Sequence, residues 1–378
     1  MMIDELLGEM KIGEMVLVEY EPISSPEVVF HRIVDHFLKE DVPILVVDVL
    51  DTLHTFNEHL KRRGIRLPVD RLTVVKEGGR VRLGNIIGEV FIPSEPSEFT
   101  YHQVQYSKTV KPFFERDEKP KAIIVLGMEK FILPFQNDLR KVEMYFEMIE
   151  RPPIAPGGKY TFLFINRSVA SEYVLRNLES EKHYVVELTG EAKVTKTPFS
   201  LLQVGRGLSL IEYGSKDHPE LVLGAALDEF GAENVLVVDV VDTGMVVGKH
   251  LEAMEWDVEE LPRVVKIGGR FEWGRTIATL DIYNEPAVFL RKLDGILQRE
   301  SPGLILYFGM ERIPRFHRDS ARITLTITNR AAVELSVPYS AVYLINRDTS
   351  SPELRGLLEE TAETVLMFHD GGFKKLKG

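Results

Sequence analysis

The sequence contains no cysteine in its 378 residues, which excludes a disulfide framework, thiolate chemistry and cysteine-ligated zinc. No apolar run approaches the roughly 18 to 20 residues that span a bilayer. The opening "MMIDELLGEMK" carries acids where a signal peptide would carry basic residues, so a cytoplasmic protein with no membrane partner is expected. Basic residues are in the minority, 46 Lys and Arg against 58 Asp and Glu for a net charge of −12, and nucleic-acid binding is not expected. The local basic cluster "KRRG" at 61–64 reads as a solvated helix end. Neither H-E-x-x-H nor G-x-S-x-G occurs, and His31 and His36, five apart on one helix, face different ways. "GRG" at 205–207 lacks the rest of a dinucleotide fingerprint and reads as a turn. Only five Gln beside abundant Glu, Lys and Arg is a heat-adapted composition. The length suits two or three globular domains.

What is present is one domain written twice. "VLVEY" (16–20) returns as "SLIEY" (209–213), "SPEVV" (25–29) as "HPELV" (218–222) and "VVDVLDT" (46–52) as "VVDVVDT" (237–243). "VVKEGGR" (74–80) returns as "VVKIGGR" (264–270), "LGMEK" (126–130) as "FGMER" (308–312) and "FINR" (164–167) as "LINR" (344–347). The order never changes, and the offset only shrinks, from 193 to 180, as loop deletions in the second copy would produce. The copies are expected to span 1–192 and 193–378, with the boundary inside the polar "TGEAKVTKTP" (189–198). Between "GGR" and "GME" the first copy is eight residues longer (190 minus 182) and carries "IPSEPSEFTYHQ" (92–103), where a partner contact is one reading and a tolerated insertion the other.

Within the first copy, "MVLVEY", "PILVVDV", "RLTVVK", "AIIVLG" and "YTFLFINR" read as buried strands. "PEVVFHRIVDHFLKE" reads as a helix with Val28, Val29, Ile33, Phe37 and Leu38 on its apolar stripe. "TLHTFNEHLKRRG", most of "YHQVQYSKTVKPFFERDEK" and "LRKVEMYFEMIER" read as further helices, and "GG" as a turn. This alternation predicts an α/β fold, a mostly parallel sheet with helices on both faces.

A strand, a tight loop and a helix frame "EYEPISSPEVV" (19–29), yet that loop has neither glycine nor lysine. Ser25 reads as a helix cap with Pro26 at the first helical position, and Glu27 favours the helix dipole while repelling a phosphate. The stretch from "GEMVLVEY" to "VVDVLDT", with "AIIVLGMEKF" and "MEWDVEELPRVVKIGG" (254–269), resembles the RecA-like P-loop ATPases of the KaiC type. More narrowly, the duplicated chain resembles a family of unknown function from heat-loving archaea, the Thermococcales. The resemblance implies two tandem RecA-like domains. It places the phosphate-gripping lysine on Pro26 and Pro219 and the magnesium-binding threonine on Glu27 and Glu220. The loop glycines fall on Tyr20, Ile23 and Ser25, and on Tyr213, Lys216 and His218. The Walker B aspartate falls on Gly127 and Gly309, and the second-strand acids on Leu50 with Asp51 and Val241 with Asp242. ATP hydrolysis by a P-loop mechanism is therefore not expected, and no cofactor is.

Polar residues kept in both copies are Glu19/Glu212, Asp48/Asp239, Asp51/Asp242, His59/His250, Lys76/Lys266, Arg80/Arg270, Glu129/Glu311, Asn166/Asn346 and Arg167/Arg347. Those at strand C-terminal ends are candidates to hold a polar small molecule or a divalent cation. Their architectural reading makes Asp51-Thr52 and Asp242-Thr243 helix caps and "GGR" a hairpin turn whose Arg packs over the sheet edge. The function expected is a non-catalytic tandem pseudo-ATPase, an interaction, regulatory or assembly module with a protein partner or a second copy of itself. The alternative is a small-molecule or metal-ion binder or enzyme built on the strand-end acids.

Overall fold

The computed structural model describes residues 3–93, 98–136, 138, 141–142, 157–189, 196–197, 207–254, 256, 260–369 and 372–378. It divides into two compact units, Met1–Gly190 and Glu191–Gly378. All of the helix expected over 139–151 except 141–142, the boundary segment 190–195 and part of the 92–103 insertion lie outside the described residues.

In the first unit the strands are β1 (Met15–Tyr20), β2 (Ile44–Val49), β3 (Thr73–Glu77), β4 (Asn85–Val90), β5 (Lys121–Leu126), β6 (Lys159–Asn166) and β7 (Tyr184–Leu188). They form a sheet of order β4-β3-β2-β5-β6-β1-β7, every pairing parallel. The helices are α1 (Ile3–Glu9), α2 (Pro26–Lys39), α3 (Thr52–Arg62), α4 (Phe99–Phe114), α5 (Met128–Ile132) and α6 (Glu172–Glu181). Because successive side chains of a strand face opposite ways, Val16 and Val18 join the core under α2 and α3. Leu17, between them, joins the core under α5 and α6. Sheets sandwiched in this way need apolar residues at every position, which explains the unbroken strand runs.

α2 starts where the sequence says, with Pro26 in the first turn, but its buried stripe is Phe30, Ile33, Val34 and Phe37. Val28, Val29 and Leu38 are half-buried, because the stripe lies slightly round the helix from the expected one. A larger correction concerns "GGR". It is no hairpin: β4 pairs with β3 in parallel, Thr73 opposite Asn85, after a return of only residues 78–84. Parallel neighbours usually need a dozen or more residues to cross over. Here the chain turns back through left-handed Gly78 and Gly79.

The second unit repeats this plan with β9 (Gly207–Tyr213), β10 (Val235–Val240), β11 (Arg263–Ile267), β12 (Arg275–Leu280), β13 (Leu304–Phe308), β14 (Ser340–Asn346) and β15 (Thr364–His369). β16 (Gly372–Lys377) and the two-residue β8 (Lys196–Thr197) extend its edge antiparallel. The sheet order is β12-β11-β10-β13-β14-β9-β15-β16-β8. Its helices are α7 (Glu220–Phe230), α8 (Thr243–Ala253), α9 (Pro286–Glu300), α10 (Ser320–Val333) and α11 (Pro352–Thr361). Side chains of Ser171, Asp319 and Ser351 cap α6, α10 and α11 by accepting from main-chain N–H groups. The fold class is α/β, a tandem of two mostly parallel sheets with helices packed on them. Among the described residues no helix is long and apolar enough to cross a membrane.

Candidate functional site

The strand-end acids come together, and they are occupied. β2 runs into two consecutive left-handed residues, Leu50 and Asp51, and β10 into Val241 and Asp242. Such backbone is costly for side chains other than glycine. It swings each aspartate over the sheet end. There the Asp51 carboxylate accepts from the N–H of Arg80 at 2.6 Å and of Val81 at 3.0 Å. Lys76 joins Asp51, Nζ to Oδ1, at 2.5 Å and Asp48 at 2.7 Å. The second unit repeats this with Arg270 N at 2.8 Å, Phe271 N at 3.2 Å and Lys266 at 2.9 Å from Asp242. Lys266 also donates to the Phe271 carbonyl. A Cβ on Gly79 would stand 2.4 Å from Asp51 Oδ1, and one on Gly269 2.3 Å from Asp242 Oδ1. The glycine pair is therefore what lets the main chain reach the carboxylate.

Electrostatics follow. Burial alone would raise Asp51, but the Lys76 ammonium and the two main-chain donors hold it below the usual carboxylate range. Lys76 is raised: burial opposes its charge, and Asp48 and Asp51 outweigh it. Asp242 is lowered by the same partners against burial. Asp239 is raised, because burial there exceeds what the Gly244 N–H and Lys266 return.

These contacts correct two details. Asp51 and Asp242 stand at the N-cap positions of α3 and α8, yet their side chains do not cap. Asp48 and Asp239 do, accepting from Leu53 N at 2.9 Å and Gly244 N at 2.7 Å. Nor does the Arg80 or Arg270 side chain pack on the sheet edge; both are exposed, and their N–H groups do the binding.

The rest of the candidate set divides between the units. Buried Glu129 accepts from Asn166 N at 3.2 Å, and burial raises Glu311. Asn166 and Asn346 turn their Oδ1 to the N–H two residues on, Ser168 and Asp348. Arg167 pairs with Glu187 at 2.9 Å and Glu19 at 3.4 Å, whereas Arg347 lies against Met367 and Asp348. His59 is buried and His250 exposed.

The loops that the resemblance aligns with phosphate loops are likewise filled from within. In the first, the Ser25 side chain does not cap α2 but accepts from Arg63 Nη2 at 2.6 Å. The same guanidinium pairs with buried Glu27 at 3.1 Å, and Ile23 is half-buried beside them in the loop. In the second, the Gly214 N–H donates to Asp217 at 2.6 Å and the Ser215 N–H to Asp348 at 2.7 Å. His218 bonds Glu220 at 2.9 Å, and Pro219 is the cap residue of α7 instead of its first helical position. Gly127 and Gly309, at the Walker B slots, are left-handed, and a Cβ there would come within 2.4 Å of Thr52 or Thr243 Oγ1. An aspartate has no room.

The second unit keeps a cleft of about 520 Å³ at this end, bordered by Lys216, His218, His250, Arg312 and Asn346. Among the described residues no group of three or more histidines or acids is placed to hold a metal ion. A protein family described as "Pyrococcus protein of unknown function, DUF257" matches residues 5–201 and again residues 199–373. The chain belongs to this family. None of the curated proteins matches this DUF257 chain. Among solved structures it is similar to a Pyrococcus horikoshii OT3 protein studied as Project ID PH0250. That match has 28% identity over 50% of this chain and 88% of the other, with a TM-score of 0.41. It is also similar to a KaiC-like protein, PH0186, of the same organism, at 11% identity over 47% and 81%, with a TM-score of 0.33.

Several residues of this DUF257 chain escaped the sequence reading. Arg63, Asp348 and Asp217 reach Ser25, Ser215 and His369 across 38, 133 and 152 residues of chain, which spacing does not reveal. Glu359 bears on Glu212, and burial with that second carboxyl pushes it up to about 8. Glu19, raised to about 7 by burial and then by Glu179, makes the equivalent pair. Glu179 and Glu359 stand 180 residues apart (359 minus 179), the offset of "INR", and that recurrence was the available signal.

Proposed function

We propose that the chain is a non-catalytic tandem RecA-like scaffold that acts as an interaction, regulatory or assembly module. One observation carries this reading: internal charges occupy both old phosphate seats. A triphosphate needs consecutive free N–H groups at a helix start, and in the second loop Asp217 and Asp348 already hold them. In the first, the Glu27–Arg63 pair stands at the helix start instead. Partner binding or self-association, a cytoplasmic location and a division near residues 192 and 193 belong to the same proposal.

The test is calorimetric titration of the full chain with magnesium-ATP, beside a phosphate-release assay at elevated temperature. No saturable heat and no turnover are expected. Stoichiometric ATP binding would overturn the reading. Sedimentation over a concentration series then separates self-association from the need for another protein.

The open cleft of the second unit favours one further reading, a small polar ligand held among Lys216, His218, His250 and Arg312. On this reading the candidate acid Asp242, held by Lys266, borders the cleft and positions its loop. A ligand panel read by thermal shift, repeated on Arg312→Ala, tests it; a shift that survives the substitution counts against it.

A further inference from the structure

A second cavity of the DUF257 chain lies at the opposite end of the second sheet. It holds about 570 Å³ and is bordered by residues that precede β13 and β14, with parts of α9 and α10. Ligand sites of α/β proteins gather at the other end of the strands, so the fold alone gives no reason for a site here. The chemistry of the walls does. Arg330 of α10 is buried at 2% exposure. Its Nε donates to Asp294 at 2.9 Å, and its Nη1 donates to Glu334 at 2.9 Å and to the Tyr343 hydroxyl at 3.0 Å. The guanidinium lies 5.3 Å from the Tyr307 ring centre, and Tyr307 stacks on Tyr343 at 4.3 Å. Tyr307 donates its hydroxyl to Glu334 Oε1.

The two tyrosines of this cluster have no tyrosine counterparts in the first unit. Aligned on "GME" and "INR", Tyr307 and Tyr343 correspond to Val125 and Leu163, which are ordinary core residues there. A buried charge network is no gain in stability over the apolar packing it replaces, so the packing of the second unit does not call for it.

Within the cluster one guanidinium serves two carboxylates, and Glu334 Oε2, fully buried, has no hydrogen-bond partner. A buried anionic oxygen without a donor is costly. What Glu334 Oε2 lacks is a donor, and a second positive charge would match the second carboxylate. The remaining wall is apolar: Leu297, Val337 and the Tyr339 ring border the same space, of a size that takes a small molecule. We infer that this cavity binds a small organic cation, a primary ammonium whose N–H groups serve Glu334 and whose apolar body lies against Leu297, Val337 and Tyr339. An aromatic wall suits such a cation.

The test titrates the full chain with hexylammonium and benzylammonium, with hexanoate and hexanol as controls, by calorimetry and thermal shift. The expected result is one ammonium bound per chain, with a raised melting temperature and no response to hexanoate. Val337→Trp, which fills the cavity and leaves every charge in place, should weaken binding at least about ten-fold, which is 1.4 kcal/mol. Glu334→Gln should do the same wherever it folds. Failure of either ammonium ion to bind, an equal response to hexanoate, or binding unchanged in Val337→Trp would each overturn the assignment. None of these results depends on the fate of ATP at the other end of the sheet.

Discussion

At matching positions of α3 and α8 the two units treat the same helix differently. His54, Thr55, Phe56 and His59 are buried in the first. Their counterparts in the second, Met245, Val246, Val247 and His250, border a cleft of about 520 Å³, and Val246 is 45% exposed. Lys130, buried, donates to Thr52 at 2.9 Å, while its counterpart Arg312 is exposed. The aspartate–lysine latch beneath is tighter in the first unit as well, with Asp48 and Asp51 sharing Lys76. In the second, Lys266 leans on Asp242 and the Phe271 carbonyl. Duplication kept the frame and let this helix face diverge, buried in one unit and bordering an open cleft in the other.

The largest expected break of this comparison is Lys76→Met, which strands two buried carboxylates and should cost about 3–5 kcal/mol. Lys266→Met should cost less, about 1–3 kcal/mol. Denaturant unfolding followed by circular dichroism compares the two, and equal losses would erase the distinction. Gly79→Ala and Gly269→Ala, by contrast, should cost the same, about 1–3 kcal/mol each, since both force strained backbone against an aspartate. Thr55→Trp should cost about 1–3 kcal/mol by overpacking. Val246→Trp, facing the cleft, should stay within about 0.5 kcal/mol of the parent.

A further effect is one of pH. A glutamate raised in the folded state contributes stability at low pH and loses it as pH rises through the folded value. Glu359→Gln should therefore gain on the parent through about pH 8, and Glu19→Gln through about pH 7. Melting curves across that range read each gain. Parallel pH profiles for parent and variant would show that the paired carboxyls carry no such load.

Much of this was legible in the letters. The strand pattern and the repeats located β1, β2, β3, β5 and β6, and Pro26 beside Glu27 announced the start of α2. β4 was hidden because "NIIGEV" follows a glycine pair, which reads as a hairpin, and nothing local states that a return of residues 78–84 suffices for a parallel neighbour. Charges that meet over long spans, such as Ser215 with Asp348, have no local pattern at all. The Arg330 cluster was visible in part: two tyrosines replace Val125 and Leu163. A reading that looks only at what two copies share passes over what one of them has gained.

Connections elsewhere in the two copies have drifted, the one after β4 by eight residues (190 minus 182). The return between β3 and β4 has not; residues 78–84 and 268–274 are equal in number. A loop that merely covers a surface can be lengthened freely. This one is a ruler, cut to the strand it runs beside and pegged midway by an aspartate, so evolution could reword it but not resize it.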